Sequence, residues 1–320
     1  MENLVRTLIV SIVFSLFAVS PALAWHDAGH RATASIAFGA MTPDQQNAVI
    51  TVLKAHPRFA EDFAAHMPES VSSETDVAQG RWLLGQAAIW PDLVQTLDDD
   101  IRRQYNRSRW HYINMIIYLT DADEAAFAGK FEHNMETTFE PPLRQNLNII
   151  QALRGNLLRW HDDSISDADK AVALCWILHL TGDLHQPLHT VALYSKAWFP
   201  TGDRGGNDIE VAWEDGTRNL HAVWDGLPTD MDSLEPSART LLTIETDTVD
   251  DAAIDEWLGH HVSLARMFVY PEDVKAQLLT RLMNNEPPLI DVSHEYLVRA
   301  RSIARRQVNL AGHRIARLLD

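Results

Sequence analysis

The chain has 320 residues, a single cysteine and a formal net charge of −17 at pH 7. So acidic a surface excludes gripping a polyanion by broad counterion release, and action on nucleic acid or phospholipid would need metal ions to supply local positive charge. The lone Cys175, set in "AVALCWIL", excludes an internal disulfide and reads as a small buried apolar residue.

Residues 1–24 have the three zones of a secretory signal: Arg6, an apolar run from Leu8 to Val19, and Ala22-Leu23-Ala24 before Trp25. Glu2 and Arg6 cancel, so removing this segment leaves the net charge unchanged. The apolar run is too short to span a bilayer, which needs about 20 residues. The expected product is an exported protein, periplasmic or secreted, with no stable membrane association and a monomeric state. Residues 25–320 show no linker, repeat or low-complexity tract, and are expected to form one domain.

The first helix signal is "TPDQQNAVITVLKAH", with Thr42 as N-cap and Pro43 at the first helical position. Apolar residues at spacings of three and four then mark "DVAQGRWLLGQAAIW", "EPPLRQNLNIIQALRGNLL", "SDADKAVALCWILHLTGDLHQ" and "DDAAIDEWLGHHVSLARMF". The tail from Asp291 repeats the pattern, and its arginines, Arg299, Arg301, Arg305, Arg306, Arg314 and Arg317, read as the solvated face of a docked helix. Strand signal is confined to "NDIEVAWEDGTRNL", where Asp215-Gly216 suits a hairpin turn. The fold class is therefore all-α with one small β-ribbon.

Histidines and aspartates recur at helical spacings. In "HLTGDLHQPLH", His179 and Asp183 lie four apart and share a helix face, and Pro187 ends the helix so that His189 can turn back toward them. In "HAVWD", His221 and Asp225 repeat the spacing. One such pair fits an ordinary satisfied core pair; two pairs with His189 favour metal. The apolar setting of His179 and Asp183 adds weight, because ionisable groups in a core cost several kcal/mol unless paired or bound to an ion. Imidazole and carboxylate without thiolate suit zinc or a similar borderline cation.

At this point the chain resembles the zinc-dependent, single-strand-specific nucleases of fungi and plants, relatives of the bacterial zinc phospholipases C. The resemblance rests on "WHDAGH", "IWPD", "WHYIN", "HLTGDLHQPLH" and "NLHAVWD", in the family's order. It implies a multi-helix phospholipase C/nuclease-like fold and three zinc ions in one cleft. One ion would take Trp25, through its freed amine and carbonyl, with His30 and Asp183. A second would take Asp92, His111, His179 and Asp183, and a third His189, His221 and Asp225. A free α-amine offers a lone pair that an amide nitrogen lacks, so cleavage before Trp25 is expected to complete the site. His26 fits no family position.

The implied chemistry is metal-assisted hydrolysis of single-stranded DNA or RNA to 5'-nucleotides, with 3'-nucleotidase activity. Asp92 would also orient the attacking hydroxide. The resemblance further places Asn207, in "GDRGGNDI", at a base pocket and Tyr112 against a base; a hairpin entry and a core ring are the plain alternatives. Tyr194, Trp198 and Phe199, in the loop from Thr190 to Arg204, either line a subsite or pin the loop. One departure stands out: where relatives pair an arginine with an aspartate, this chain has Gln95 and Asn114, which suggests a neutral amide pair and puts phosphate affinity in question. Two rival readings are a zinc phospholipase C, which has a longer tryptophan-to-histidine gap and a glutamate as last ligand, and a non-catalytic periplasmic zinc-binding protein.

Overall fold

The computed structural model describes residues 25–228 and 251–320, apart from residues 132, 214 and 215. Residues 1–24, the expected signal, and Asp215 of the expected turn lie outside the described residues. The helices are α1 (Asp27–Ala40), α2 (Pro43–Leu53), α3 (Glu69–Ser72), α4 (Asp76–Leu93), α5 (Asp99–Tyr105), α6 (Asp121–Phe127), α7 (Ile149–Trp160), α8 (Asp167–Leu184), α9 (Leu220–Gly226), α10 (Asp251–Leu264), α11 (Glu272–Met283) and α12 (His294–Leu318). Helix predominates, as the sequence implied.

Local chemistry accounts for most boundaries. Thr42 and Gln45 form a reciprocal capping box at the start of α2, and Asn148 and Gln151 do the same for α7. The α7 cap falls later than the periodicity suggested, because Pro141 and Pro142 keep the chain irregular until Asn148 supplies an oxygen for the first amides. In α4 the helix runs through Pro91 and ends at Leu93, which keeps Asp92 in register with the preceding turns. α1, not expected from periodicity, begins two residues after Trp25.

α8 is the central element. It packs against α2, α4, α7 and α12, and α1 crosses α4, α8 and α12. From Ala173 to Leu184 every residue of α8 is buried. Leu174, Ile177, Leu178 and Leu180 contribute roughly 1.5–3 kcal/mol each on burial, which offsets the cost of carrying His179 and Asp183 inside. One apolar cluster gathers Leu84, Trp90, Leu153 and Leu178; the other gathers Trp25, Ile36, Trp224 and Val308. α1 contributes to both.

The β-structure is larger than a single ribbon. The expected hairpin exists as β3 (Glu210–Trp213) antiparallel to β4 (Gly216–Asn219), and β5 (Leu289–Ile290) adds to β3 in parallel. A separate parallel pair joins β1 (Met115–Tyr118) to β2 (Val191–Tyr194), with Met115 opposite Val191. This pair ties the segment after His111 to the segment after His189.

The loop following His189 is pinned. Tyr194 and Phe199 are buried, Ser195 and Phe199 exchange backbone hydrogen bonds, and Trp198 packs on the second apolar cluster. Cys175 is buried and free, and burial raises its thiol pKa. Arg314 departs from the solvated face expected of α12: it hydrogen-bonds His185 at 2.7 Å and stacks over Trp257 at 4.3 Å. Arg299 behaves as expected, pairing with Glu295 on the surface.

Candidate metal centre

Six elements bring the predicted histidines and aspartates together. α1 supplies His30, the end of α4 supplies Asp92, and a 3₁₀ turn at Ser108–His111 supplies His111. α8 supplies His179 and Asp183, and α9 supplies His221 and Asp225 on one face. A second 3₁₀ turn, Pro187–His189, supplies His189 at its end, as the proline implied. All eight are buried.

Asp183 is the hub. Its Oδ1 lies 3.2 Å from His30 Nε2, and its Oδ2 lies 3.1 Å from His111 Nδ1, 3.2 Å from His179 Nε2 and 3.9 Å from His189 Nδ1. Asp92 Oδ1 is 3.7 Å from His179 Nε2 and 3.8 Å from His111 Nδ1. On the other side His221 Nε2 is 3.4 Å from Asp225 Oδ2, and the His189 and His221 rings are 4.9 Å apart. Donors about 2.0–2.1 Å from one ion in a tetrahedral array stand about 3.3 Å from one another, so these separations match ligands arranged around shared points. Three groupings have donor atoms within 4.8 Å of one another: His30, His179 and Asp183; Asp92, His111 and His179; His189, His221 and Asp225.

Second contacts fix which nitrogen each ring presents. His179 Nδ1 lies 2.8 Å from the Ala88 carbonyl, His189 Nδ1 lies 2.6 Å from the His111 carbonyl and His221 Nδ1 lies 2.7 Å from the Gly205 carbonyl. A carbonyl only accepts, so Nδ1 carries the proton and Nε2 is left with its lone pair aimed inward. Six buried atoms in the cluster then have no hydrogen-bond partner: both nitrogens of His30, Nε2 of His111, His189 and His221, and Oδ1 of Asp183. Buried polar atoms are rarely left unmatched. Several converging lone pairs fit cations.

The carboxylates and burial pull the cluster's groups in different directions. Burial opposes charge on His179, yet Asp183 and Asp92 outweigh it and raise its pKa to about 9. Burial likewise opposes the Asp183 carboxylate, but the surrounding imidazoles hold it well below the usual carboxylate range. Burial lowers His30 and His189, and with the neighbouring His189 it brings His221 down to about 3. Burial raises Asp225 well above its ordinary value, with the Asp183 and Asp92 charges acting in the same direction.

Close approach around the cluster leaves little tolerance. A Cβ on Gly182 would sit 2.7 Å from His30 Nδ1, so only glycine lets α1 place His30 against α8. Trp25 is fully buried and its indole donates to the Gly182 carbonyl at 2.9 Å, while the His26 amide reaches the Asp225 carbonyl at 3.4 Å. Residue 25 is thereby tied to α8 through its side chain, and residue 26 to α9 through its backbone.

The cleft above the cluster is bordered by Gln95, Tyr112, Asn114, Arg204 and Asn207. Tyr112 is 40% exposed, so it borders the cleft and is not a core ring. Gln95 donates to Asp92 Oδ1 at 2.9 Å, and among the described residues no hydrogen bond joins it to Asn114. The expected amide pair is thus replaced by an amide that steadies Asp92. Gln186, which the sequence reading passed over, donates to Asp225 Oδ1 at 2.7 Å and accepts the Leu188 amide at 2.6 Å. Its place between His185 and Pro187, beside two candidate ligands, was the only signal.

A buried, carboxylate-centred cluster of imidazoles beneath an open cleft, on a mostly helical frame, offers donor groups that could hold metal ions. The chain belongs to the S1/P1 nuclease family, whose model matches residues 25–320. It is 26% identical over 226 residues to Endonuclease 3 of Arabidopsis thaliana, covering 69% of this chain and 60% of that protein. To Nuclease S1 of Aspergillus oryzae it is 27% identical over 172 residues, 49% of this chain and 56% of that one. To Nuclease P1 of Penicillium citrinum it is 30% identical over 127 residues, 36% and 44% respectively. The chain thus spans about three fifths of the length of the plant relatives it matches.

Proposed function

We propose that this protein is an exported, zinc-dependent phosphodiesterase that cuts single-stranded DNA and RNA to 5'-nucleotides and removes phosphate from 3'-nucleotides. The observation that carries this reading is a set of buried atoms around Asp183 and His221 without hydrogen-bond partners, Nε2 of His30, His189 and His221 and Oδ1 of Asp183, within a donor set of imidazoles and carboxylates that suits zinc. His30, Asp92, His111, His179 and Asp183 would hold two ions, with residue 25 completing the first through its amine. His189, His221 and Asp225 would hold a third. Zinc there supplies Lewis acidity and positive charge, activating water and neutralising phosphate.

The chain's own residues do the rest. The Ala88, His111 and Gly205 carbonyls keep three imidazoles in one tautomer and orientation. Asp92, steadied by Gln95, would accept a hydrogen bond from an attacking water. Tyr112 offers a ring for stacking a base and Asn207 offers an amide, both at a cleft that a splayed strand enters more readily than a duplex. The family match beginning at Trp25 and the burial of that residue against α8 support a chain start at this position.

The test uses protein beginning at Trp25. Metal content by mass spectrometry is expected at about three zinc ions per chain, with hydrolysis of single-stranded DNA, RNA and a 3'-mononucleotide but not of phosphatidylcholine. Phosphatidylcholine as the only substrate would replace this reading with a phospholipase; bound zinc with no hydrolysis at all would replace it with a binding protein. A chain retaining residues 1–24 is expected to be inactive.

A further inference from the structure

The cleft over the cluster is lined by the neutral amides of Gln95 and Asn114 among other residues. It is also lined by Arg204, the one arginine or lysine bordering this cleft among the described residues. On a chain with net charge −17, a lone guanidinium at the mouth of the cleft is conspicuous.

Its backbone is held with unusual care. Arg204 has φ of 56°, a left-handed conformation that costs a non-glycine residue energy and persists only when its surroundings impose it. Those surroundings are on both sides. Before it, Asp203 is fully buried, accepts the Tyr270 hydroxyl at 2.6 Å and accepts the Leu193 amide at 2.9 Å. After it, Gly205 has φ of 63°, and a Cβ there would lie 2.4 Å from the Leu188 carbonyl oxygen, so the loop is pressed onto the turn that carries His189. The Gly205 carbonyl also orients His221, and the Asn207 amide donates to the Arg204 carbonyl at 2.8 Å. The loop that sets a candidate ligand therefore also sets the position of this cation. Its side chain is 61% exposed and, among the described residues, is tethered by a 3.3 Å contact to Asp208, itself 38% exposed, a pair that is weak in water.

We infer that Arg204 grips a backbone phosphate of the substrate strand next to the one held over the buried cluster, making this site selective for a polynucleotide over a mononucleotide. The inference rests on the nuclease reading above. The distinction between the two phosphates follows from depth: the cluster lies at the buried floor, whereas an arginine exposed at the rim meets the strand one linkage away. A guanidinium fork suits phosphate oxygens, and release from Asp208 is a small cost against a charge-assisted bond.

The experiment compares wild type, Arg204→Ala, Arg204→Lys and Asp208→Asn on a single-stranded oligonucleotide and on a 3'-mononucleotide, over a range of salt. Arg204→Ala is expected to raise KM for the oligonucleotide about tenfold with kcat little changed, and to move KM for the mononucleotide less than twofold. The slope of log KM against log salt should become shallower by about 0.7, the signature of one lost phosphate contact on a single strand. Arg204→Lys should recover most of the loss, and Asp208→Asn, which frees the guanidinium, should lower KM. Equal penalties on both substrates, or an unchanged salt slope, would overturn the inference and leave the nuclease reading standing. Wild type that cuts neither substrate would overturn both. Metal content and thermal midpoint, measured on each variant, separate a folding defect from a binding one, and the salt slope is read on Arg204→Lys if the alanine variant does not fold.

Discussion

Helix α8 and its C-cap carry two buried histidines six residues apart, His179 and His185, and their surroundings differ. His185 has both ring nitrogens engaged, Nδ1 by the Thr181 carbonyl at 2.7 Å and Nε2 by Arg314 at 2.7 Å. His179 also gives Nδ1 to a carbonyl, but its Nε2 faces Asp183, Asp92 and another imidazole, His111, at 2.9 Å. Burial is therefore not what marks a ligand. What marks it is a second nitrogen turned toward other lone pairs, an arrangement that is unfavourable unless a cation or protons occupy the centre.

The sharpest way to break that comparison is to remove the hub. Asp183→Asn takes away a carboxylate facing four imidazoles, and is expected to empty the positions it shares and to reduce hydrolysis about a thousandfold or more, equivalent to several kcal/mol of transition-state stabilisation. His185→Gln, a change of similar size at the C-cap of the same helix, should leave metal content and turnover intact. It should cost about 1–2 kcal/mol of stability through the lost hydrogen bonds, a few degrees in thermal midpoint. Metal analysis and calorimetry on the two variants check this. Equal metal loss in both would mean that the contrast between the two histidines has no functional content.

A finer test concerns Gln186, which lies beside His185 in sequence but serves the cluster. Its amide joins Asp225 to the Leu188 backbone, coupling the turn before His189 to the helix that carries His221. Gln186→Ala leaves every candidate ligand in place. A loss of about 10- to 100-fold in affinity for the ion near His189, His221 and Asp225 is expected, with the ions around Asp183 retained. Competition with a graded series of chelators reads this directly, and an unchanged affinity would reduce Gln186 to a structural role.

How much of this was legible in the sequence depends on the range of each interaction. His179 with Asp183 and His221 with Asp225 could be read because helical spacing is local, and so could the turn that Pro187 forces before His189. Their convergence with His30, Asp92 and His111 came only through family resemblance, since nothing local says that α1, α4 and a 3₁₀ turn meet on α8. The carbonyls of Ala88 and Gly205 that orient two rings were invisible for the same reason: any residue type offers a carbonyl, so composition carries no trace of it. The β1–β2 pair escaped because "MIIY" and "VALY" lie far apart, and parallel pairing leaves no turn to find. Gln95 was expected beside Asn114 and instead steadies Asp92, three residues back along its own chain.

The smallest expected effect comes from a buried histidine far simpler in its company. His56 sits among aromatic rings, 4.9 Å from Phe63 and 4.5 Å from Trp90, and its Nδ1 accepts the Arg58 amide at 3.1 Å. Accepting that bond requires an unprotonated Nδ1, so the native ring is neutral. Burial lowers its pKa to about 4, with Asp62 opposing and Arg58 assisting. The unfolded chain takes up a proton near pH 6.5 that the folded chain refuses until about pH 4. Stability from this group is therefore complete above pH 6.5 and is lost as pH falls through that window, at no more than about 1.4 kcal/mol per pH unit. In chelator-treated protein, His56→Gln should flatten the fall in stability between pH 6.5 and 5 without altering how much zinc the protein takes up at pH 7.5. Urea midpoints at several pH values, with metal titration alongside, decide it: an unchanged slope would mean that His56 is protonated in the native state, and a change in zinc uptake would mean that burial among rings and burial among donors are not the separate conditions the two sites suggest.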